Sequence, residues 1–116
     1  MEFTATDVDG IRAEAAAKGM FAVDANSTGA LEDEYEENLA EATRLCEVQD
    51  PPEKPYESKY KARKVLDDMI NKMEATKTVS MMEGNKKTKD DMAWRIAACQ
   101  IKQGIISYEV DEPHHA

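Results

Sequence analysis

The stretch from Met92 to Tyr108 holds Met92, Ala93, Trp94, Ile96, Ala97, Ala98, Ile101, Ile105, Ile106 and Tyr108. At helical spacing these residues cover more than one side of the cylinder, and a helix that apolar is packed from two directions. The helix is expected from Asp90 or Asp91 to about Glu109. Gly104 within it lets a neighbouring backbone approach, at about 1 kcal/mol of helix propensity. Only Asp111-Glu-Pro-His-His-Ala follows. No fifth helix of this sequence is therefore predicted to cover the spare face. Trp94, Ala97, Ala98, Ile101, Ile105 and Tyr108 are the candidate partner-binding residues.

Three further helices are predicted, and with them an all-α fold of helical hairpins. Ala, Glu, Lys, Met and Leu dominate the composition, and such side chains keep their rotamer freedom in a helix. The first helix runs from about Asp7 to Ala22, with a thin stripe of alanines. The second, about Ala30 to Val48, places Leu31, Tyr35, Leu39, Ala42 and Cys46 on one face. Glu32, Asp33, Glu34, Glu36 and Glu37 crowd its first turns, where the helix dipole favours negative charge. Asp50-Pro-Pro ends it. The third runs from about Ser58 to Ala75, with an apolar face of Tyr60, Ala62, Val65, Leu66, Met69, Ile70 and Met73 and expected pairs Arg63–Asp67 and Lys64–Asp68. Thr76–Lys89 reads as a polar, mobile link, unless Val79, Met81 and Met82 pin it to a neighbour.

Charge and motif content exclude several classes of function. Fourteen of the 24 acidic residues lie in residues 1–53 against three basic ones, and the whole chain carries a formal charge of −9. That half repels phosphate backbones and anionic membrane surfaces, so neither nucleic acid nor membrane is expected as a partner. Its acidic face either is solvated or meets a basic surface, including the basic second half of this chain. No apolar run approaches the roughly 20 residues of a membrane span. The first residues lack the basic and apolar regions of a signal peptide. Cys46 and Cys99 form no CxxC or Cys/His cluster and read as buried thiols in a reducing cytosol. Nucleophile, phosphate-loop and zinc-protease motifs are missing, and His114 and His115 have no acidic partner fixed by structure. The expectation is a protein without catalytic residues, metal or cofactor.

Two patterns stand out. Asp24, Asn26, Thr28, Gly29, Leu31 and Glu32 occupy positions one, three, five, six, eight and nine of an EF-hand-like calcium loop. Position twelve is Tyr35, where a bidentate glutamate belongs, so calcium binding should be weak. The simpler reading is a turn whose side chains cap the next helix. The second pattern, Trp94-x-x-Ala97-Ala98-x-x-Ile101, follows the first helix of a tetratricopeptide repeat.

Pro52-Glu-Lys-Pro-Tyr56-Glu-Ser-Lys-Tyr60-Lys-Ala-Arg63-Lys-Val-Leu66 and Arg95–Glu112 resemble the N-terminal region of the kinesin-binding protein family. The resemblance covers about residues 35–112. It implies a tetratricopeptide-like partial solenoid over 35–116, behind an N-terminal region, 1–34, with the degenerate loop. It also implies a cytoplasmic, cytoskeletal setting, with a cilium or flagellum as one site. The partner would be a microtubule-associated complex or a kinesin motor domain held off microtubules. The family's motor-binding residues lie largely outside the matching region, and none is carried over. A structural subunit or adaptor is the leading expectation; a kinesin regulator and a calcium-responsive switch are the alternatives.

Overall fold

The computed structural model describes residues 3–18 and 29–111, and within them the protein is all-helical. Four helices follow in order: α1 (Val8–Ala17), α2 (Gly29–Cys46), α3 (Glu57–Met82) and α4 (Lys86–Asp111). The EF-hand-like positions 24–28 and the histidines lie outside the described residues, as do the last turns expected of the first helix. α3 is the central element. α2 packs antiparallel along its first half, where Lys59 Nζ meets the Cys46 carbonyl at 3.2 Å and Asn38 meets Met69. α4 returns antiparallel along the other side, joined near its end by Gln103 bonding the Arg63 carbonyl at 3.2 Å. α1 lies against α4, and α2 and α4 touch over only a short stretch. At 1.5 Å per residue α3 and α4 each span about 39 Å. They dominate the 49 Å long axis of a body 27 × 21 Å across.

The turn between the long helices is far tighter than the polar composition of 76–89 suggests. α3 continues to Met82 and α4 begins at Lys86, leaving three residues. No helix breaker stands between Ala75 and Glu83, and the Ser80 hydroxyl is satisfied within the helix by donating to the Thr76 carbonyl at 2.8 Å. Gly84 then takes φ +73°, the left-handed conformation that glycine adopts without a Cβ penalty. Its N–H bonds the Met81 carbonyl and that of Asn85 bonds Ser80, closing a Schellman motif. Asn85 next caps α4, its Oδ1 accepting from the Thr88 N–H at 3.1 Å. The start expected at Asp90 or Asp91 is thus a full turn late. The hydrophobic period was legible there, but the cap lay outside it.

α3 begins without a cap of its own, since Tyr56 offers no side-chain bond. Asp50 supplies one from before the prolines: it accepts from the Ser58 N–H at 3.0 Å and from the Ser58 hydroxyl at 2.6 Å. Those bonds hold the Asp50 carboxyl below its ordinary range. At the other end of the chain Asp7 caps α1 through the Gly10 N–H, as its position suggests.

One core joins all four helices, from Ile11 and Ala15 through Tyr35, Ala42, Ala62, Leu66, Met69 and Met73 to Trp94, Ala98, Cys99 and Ile106. A boundary between residues 34 and 35 runs through the middle of α2. Three of α2's acids point outward as clamps to the other helices: Glu32 to Arg95, Glu34 to Lys72 and Glu36 to Arg12. The acidic stripe therefore meets bases of this same chain. The two exposed pairs, Glu34–Lys72 and Glu36–Arg12, are each worth about 0–1 kcal/mol. Asp67 accepts from Gln103 of α4.

Gly84→Ala should destabilise the fold by about 1 kcal/mol in urea unfolding, because the left-handed turn cannot relax. Gly104→Ala should instead stabilise the isolated chain by up to about 1 kcal/mol, since a Cβ there meets nothing within 4 Å. Asp50→Asn should lower the melting temperature at neutral pH. The folded carboxyl titrates below its unfolded value, so its contribution is present above about pH 4 and vanishes as pH falls through the folded pKa. Wild type and variant should then melt together in strong acid.

Candidate interaction surface

α4 carries a seam stepping alternately by three and four residues: Trp94, Ala97, Ile101, Gly104 and Tyr108. That is the spacing of a helix–helix contact stripe. Its first half is used inside the molecule. Trp94 is 1% exposed and Ala98 beside it is fully buried. Neither can touch a partner while the fold is intact, a correction to the expectation that they form an exposed face. The tryptophan is enclosed because α1 and α2 close over it from sides that composition could not assign. Ala97 and Ile101 are half-buried and share a shallow cleft with Phe3, Ala5 and Ile11.

The cover ends there. Ile105 is 45% exposed and Tyr108 67% exposed, while Gly104 opens to empty space. Of the six predicted residues, Ile105 and Tyr108 alone present large apolar surface, with Ala97 and Ile101 at its edge. Gly104 sits between them without an intramolecular reason for lacking a side chain.

The buried half of the seam is anchored by charge. Asp91 is fully buried, and one of its carboxylate oxygens accepts from the Trp94 indole N–H at 2.9 Å. The other meets Arg95 on the next turn of the same helix. The Arg95 guanidinium lies 4.5 Å over the Trp94 ring and 5.5 Å from the Tyr35 ring. Tyr35 meets Trp94 edge-to-face at 5.8 Å, a favoured aromatic geometry. Glu32, 3.6 Å from Arg95, completes the link to α2. The i, i+4 spacing of Asp91 and Arg95 was visible in the sequence. What concealed the pair was the assignment of Asp91 to a helix end.

This packing also decides the use of Tyr35. Burial pushes its phenol up to about 12, opposed by the nearby Arg12. The residue at the twelfth loop position is thus a neutral core aromatic. Among the described residues no three His, Cys, Asp or Glu side chains gather to hold a metal. Burial likewise raises the Cys99 thiol to about 12, leaving it a small apolar side chain. Cys46 is only half-buried. No helix among the described residues is long and apolar enough to cross a membrane.

Two further surfaces stand out that the sequence reading had placed elsewhere. Tyr60, expected on the buried face of its helix, is 48% exposed beside Tyr56 and Pro55. Val79, Met81 and Met82 are exposed at the α3–α4 turn and pin nothing. The chain matches no protein-family model, no curated protein and no solved structure.

Arg95→Met should cost about 3–5 kcal/mol in chemical denaturation, because it strands the buried Asp91 carboxylate. The double variant Asp91→Leu/Arg95→Met should lose much less. A double-mutant cycle with additive losses would show that the two charges are not coupled.

Proposed function

We propose that the protein is a non-catalytic helical adaptor that takes its place in a larger assembly through the second half of the α4 seam. The observation that carries this reading is the exposed apolar surface of Ile105 and Tyr108 beside Gly104, continuous with a seam that α1 already occupies further up. A partner helix laid end-on to α1 would bury Ile105 and Tyr108, with Gly104 letting its backbone come close. Tyrosine at the centre of such a patch is a usual energetic anchor.

The setting of that assembly is read from the resemblance of residues 52–66 and 95–112 to the kinesin-binding protein family, which points to a microtubule-associated complex in the cytoplasm. Antiparallel helical hairpins sharing α3 are compatible with a tetratricopeptide-like array in which the next helix would pack on α4. A motor-regulating role is the narrower form of the same reading.

The substitution pair Ile105→Glu/Tyr108→Ser tests it. Circular dichroism melts should match those of the wild type, because both side chains lie outside the core. Cross-linking of the full chain in a cytoskeletal extract, read by mass spectrometry, should place partner peptides on α4 of the wild type and lose them in the variant. Retention of the same partners would remove the seam from the interface. Trp94→Ala is unsuited to the purpose, since emptying that core site should itself cost about 3–5 kcal/mol.

A further inference from the structure

Where α2 turns into α3, Pro55, Tyr56 and Tyr60 wall an open apolar cavity of about 480 Å³. The two tyrosine rings stand edge-to-face, 6.5 Å apart at 85°. The Arg63 guanidinium lies over the Tyr60 ring, 5.7 Å from its centroid, a cation–π contact. Tyr60 is half exposed although it sits on a helix with a well-filled inner face, and Ala62, Leu66 and Met69 need no help from it. The rim is nearly all of one sign: Lys54, Lys61 and Lys64 line the cavity, with Glu57 as the single acid. Glu57 is itself drawn toward Lys61, at 4.0 Å. In a chain of net charge −9, an apolar slot ringed by lysines is a local reversal of the molecule's field.

We propose that this slot is a second docking site, separate from the α4 seam, for an extended acidic peptide segment bearing proline. The chemistry of the walls selects the occupant. Two aromatic rings set at a right angle beside a proline make the kind of groove that receives pre-extended, proline-containing chain, which loses little entropy on binding. The lysine rim adds attraction for carboxylates at either side of that proline and sets the association rate. A nucleic acid fits less well: its phosphates run on beyond the slot into the acidic remainder of the protein, where they are repelled.

The test uses the full chain and a fluorescent peptide, Glu-Asp-Pro-Glu-Leu-Pro-Glu-Asp, titrated by anisotropy at low and moderate salt. Saturable binding is expected, weakening as salt screens the rim. Lys61→Glu/Lys64→Glu should weaken it by about tenfold or more. Tyr60→Ala should weaken it by about fivefold or more, as expected when an aromatic anchor is removed. Both variants should melt as the wild type does, since the three side chains lie outside the core. Replacing the prolines of the probe by glycine should weaken binding as Tyr60→Ala does. Absence of saturable binding would overturn the proposal. So would binding indifferent to Tyr60→Ala, which would mean charge attraction alone, or tighter binding of a single-stranded oligonucleotide that Lys61→Glu/Lys64→Glu abolishes. Ile105→Glu/Tyr108→Ser should leave the titration unchanged, which separates this slot from the adaptor seam.

Discussion

A single buried ion pair orders the upper half of the molecule. Asp91 and Arg95 lie one turn apart on α4, and their mutual neutralisation, with Glu32 beside the guanidinium and the Trp94 N–H on the carboxylate, makes both charges tolerable at that depth. Because Trp94 donates to the same carboxylate, three side chains within five residues are locked to one another. Arg95 then reaches across to Tyr35 and Glu32. α2 and α4 approach each other over a short stretch, so this node fixes how far they stand apart. It also fixes the rotation of α4 about its axis, and with it the direction in which Gly104 and Tyr108 face.

The helices themselves were legible because three- and four-residue periodicity is a local property. Tyr35, Ala42, Ala62, Leu66, Met69 and Met73 all reached the core that their spacing assigned. The apolar girth of the last helix correctly required covering on two sides, and α3 and α1 provide it. What spacing could not show was the supplier of the cover. The alanines expected as the stripe of the first helix, Ala13, Ala16 and Ala17, are exposed, and it is Ile11 and Ala15 that close completely on their neighbours. The α3–α4 turn was hidden for a different reason. Polar composition marks a loop only on average, whereas a Gly–Asn pair can reverse the chain in three residues and leave lysines and threonines helical on both sides.

The division of surface between the two halves follows from the same packing. α2 spends three carboxylates on ties to α1, α3 and α4. The basic residues left near the α2–α3 corner face outward with no comparable acidic stripe beside them. Tryptophan is committed to the interior, so both proposed sites rest on tyrosines: Tyr60 at one and Tyr108 at the other. Tyrosine suits that role, since a large rigid ring gains contact area at little rotamer cost and its hydroxyl tolerates water.

The brevity of the Glu83–Asn85 reversal bears on how the chain acquires its shape. Two 26-residue helices joined by three residues meet through contacts close in sequence, and loop closure between them is cheap. Such a hairpin can zip from the turn outward before the earlier helices arrive. α2 and α1 would then add to a preformed platform, α1 last, since its backbone packs on α4 and it meets α2 through side chains, as in the Arg12–Glu36 pair. The order in which amide protons are lost to solvent should run the opposite way, with α1 opening first and the turn-proximal residues of α3 and α4 holding longest.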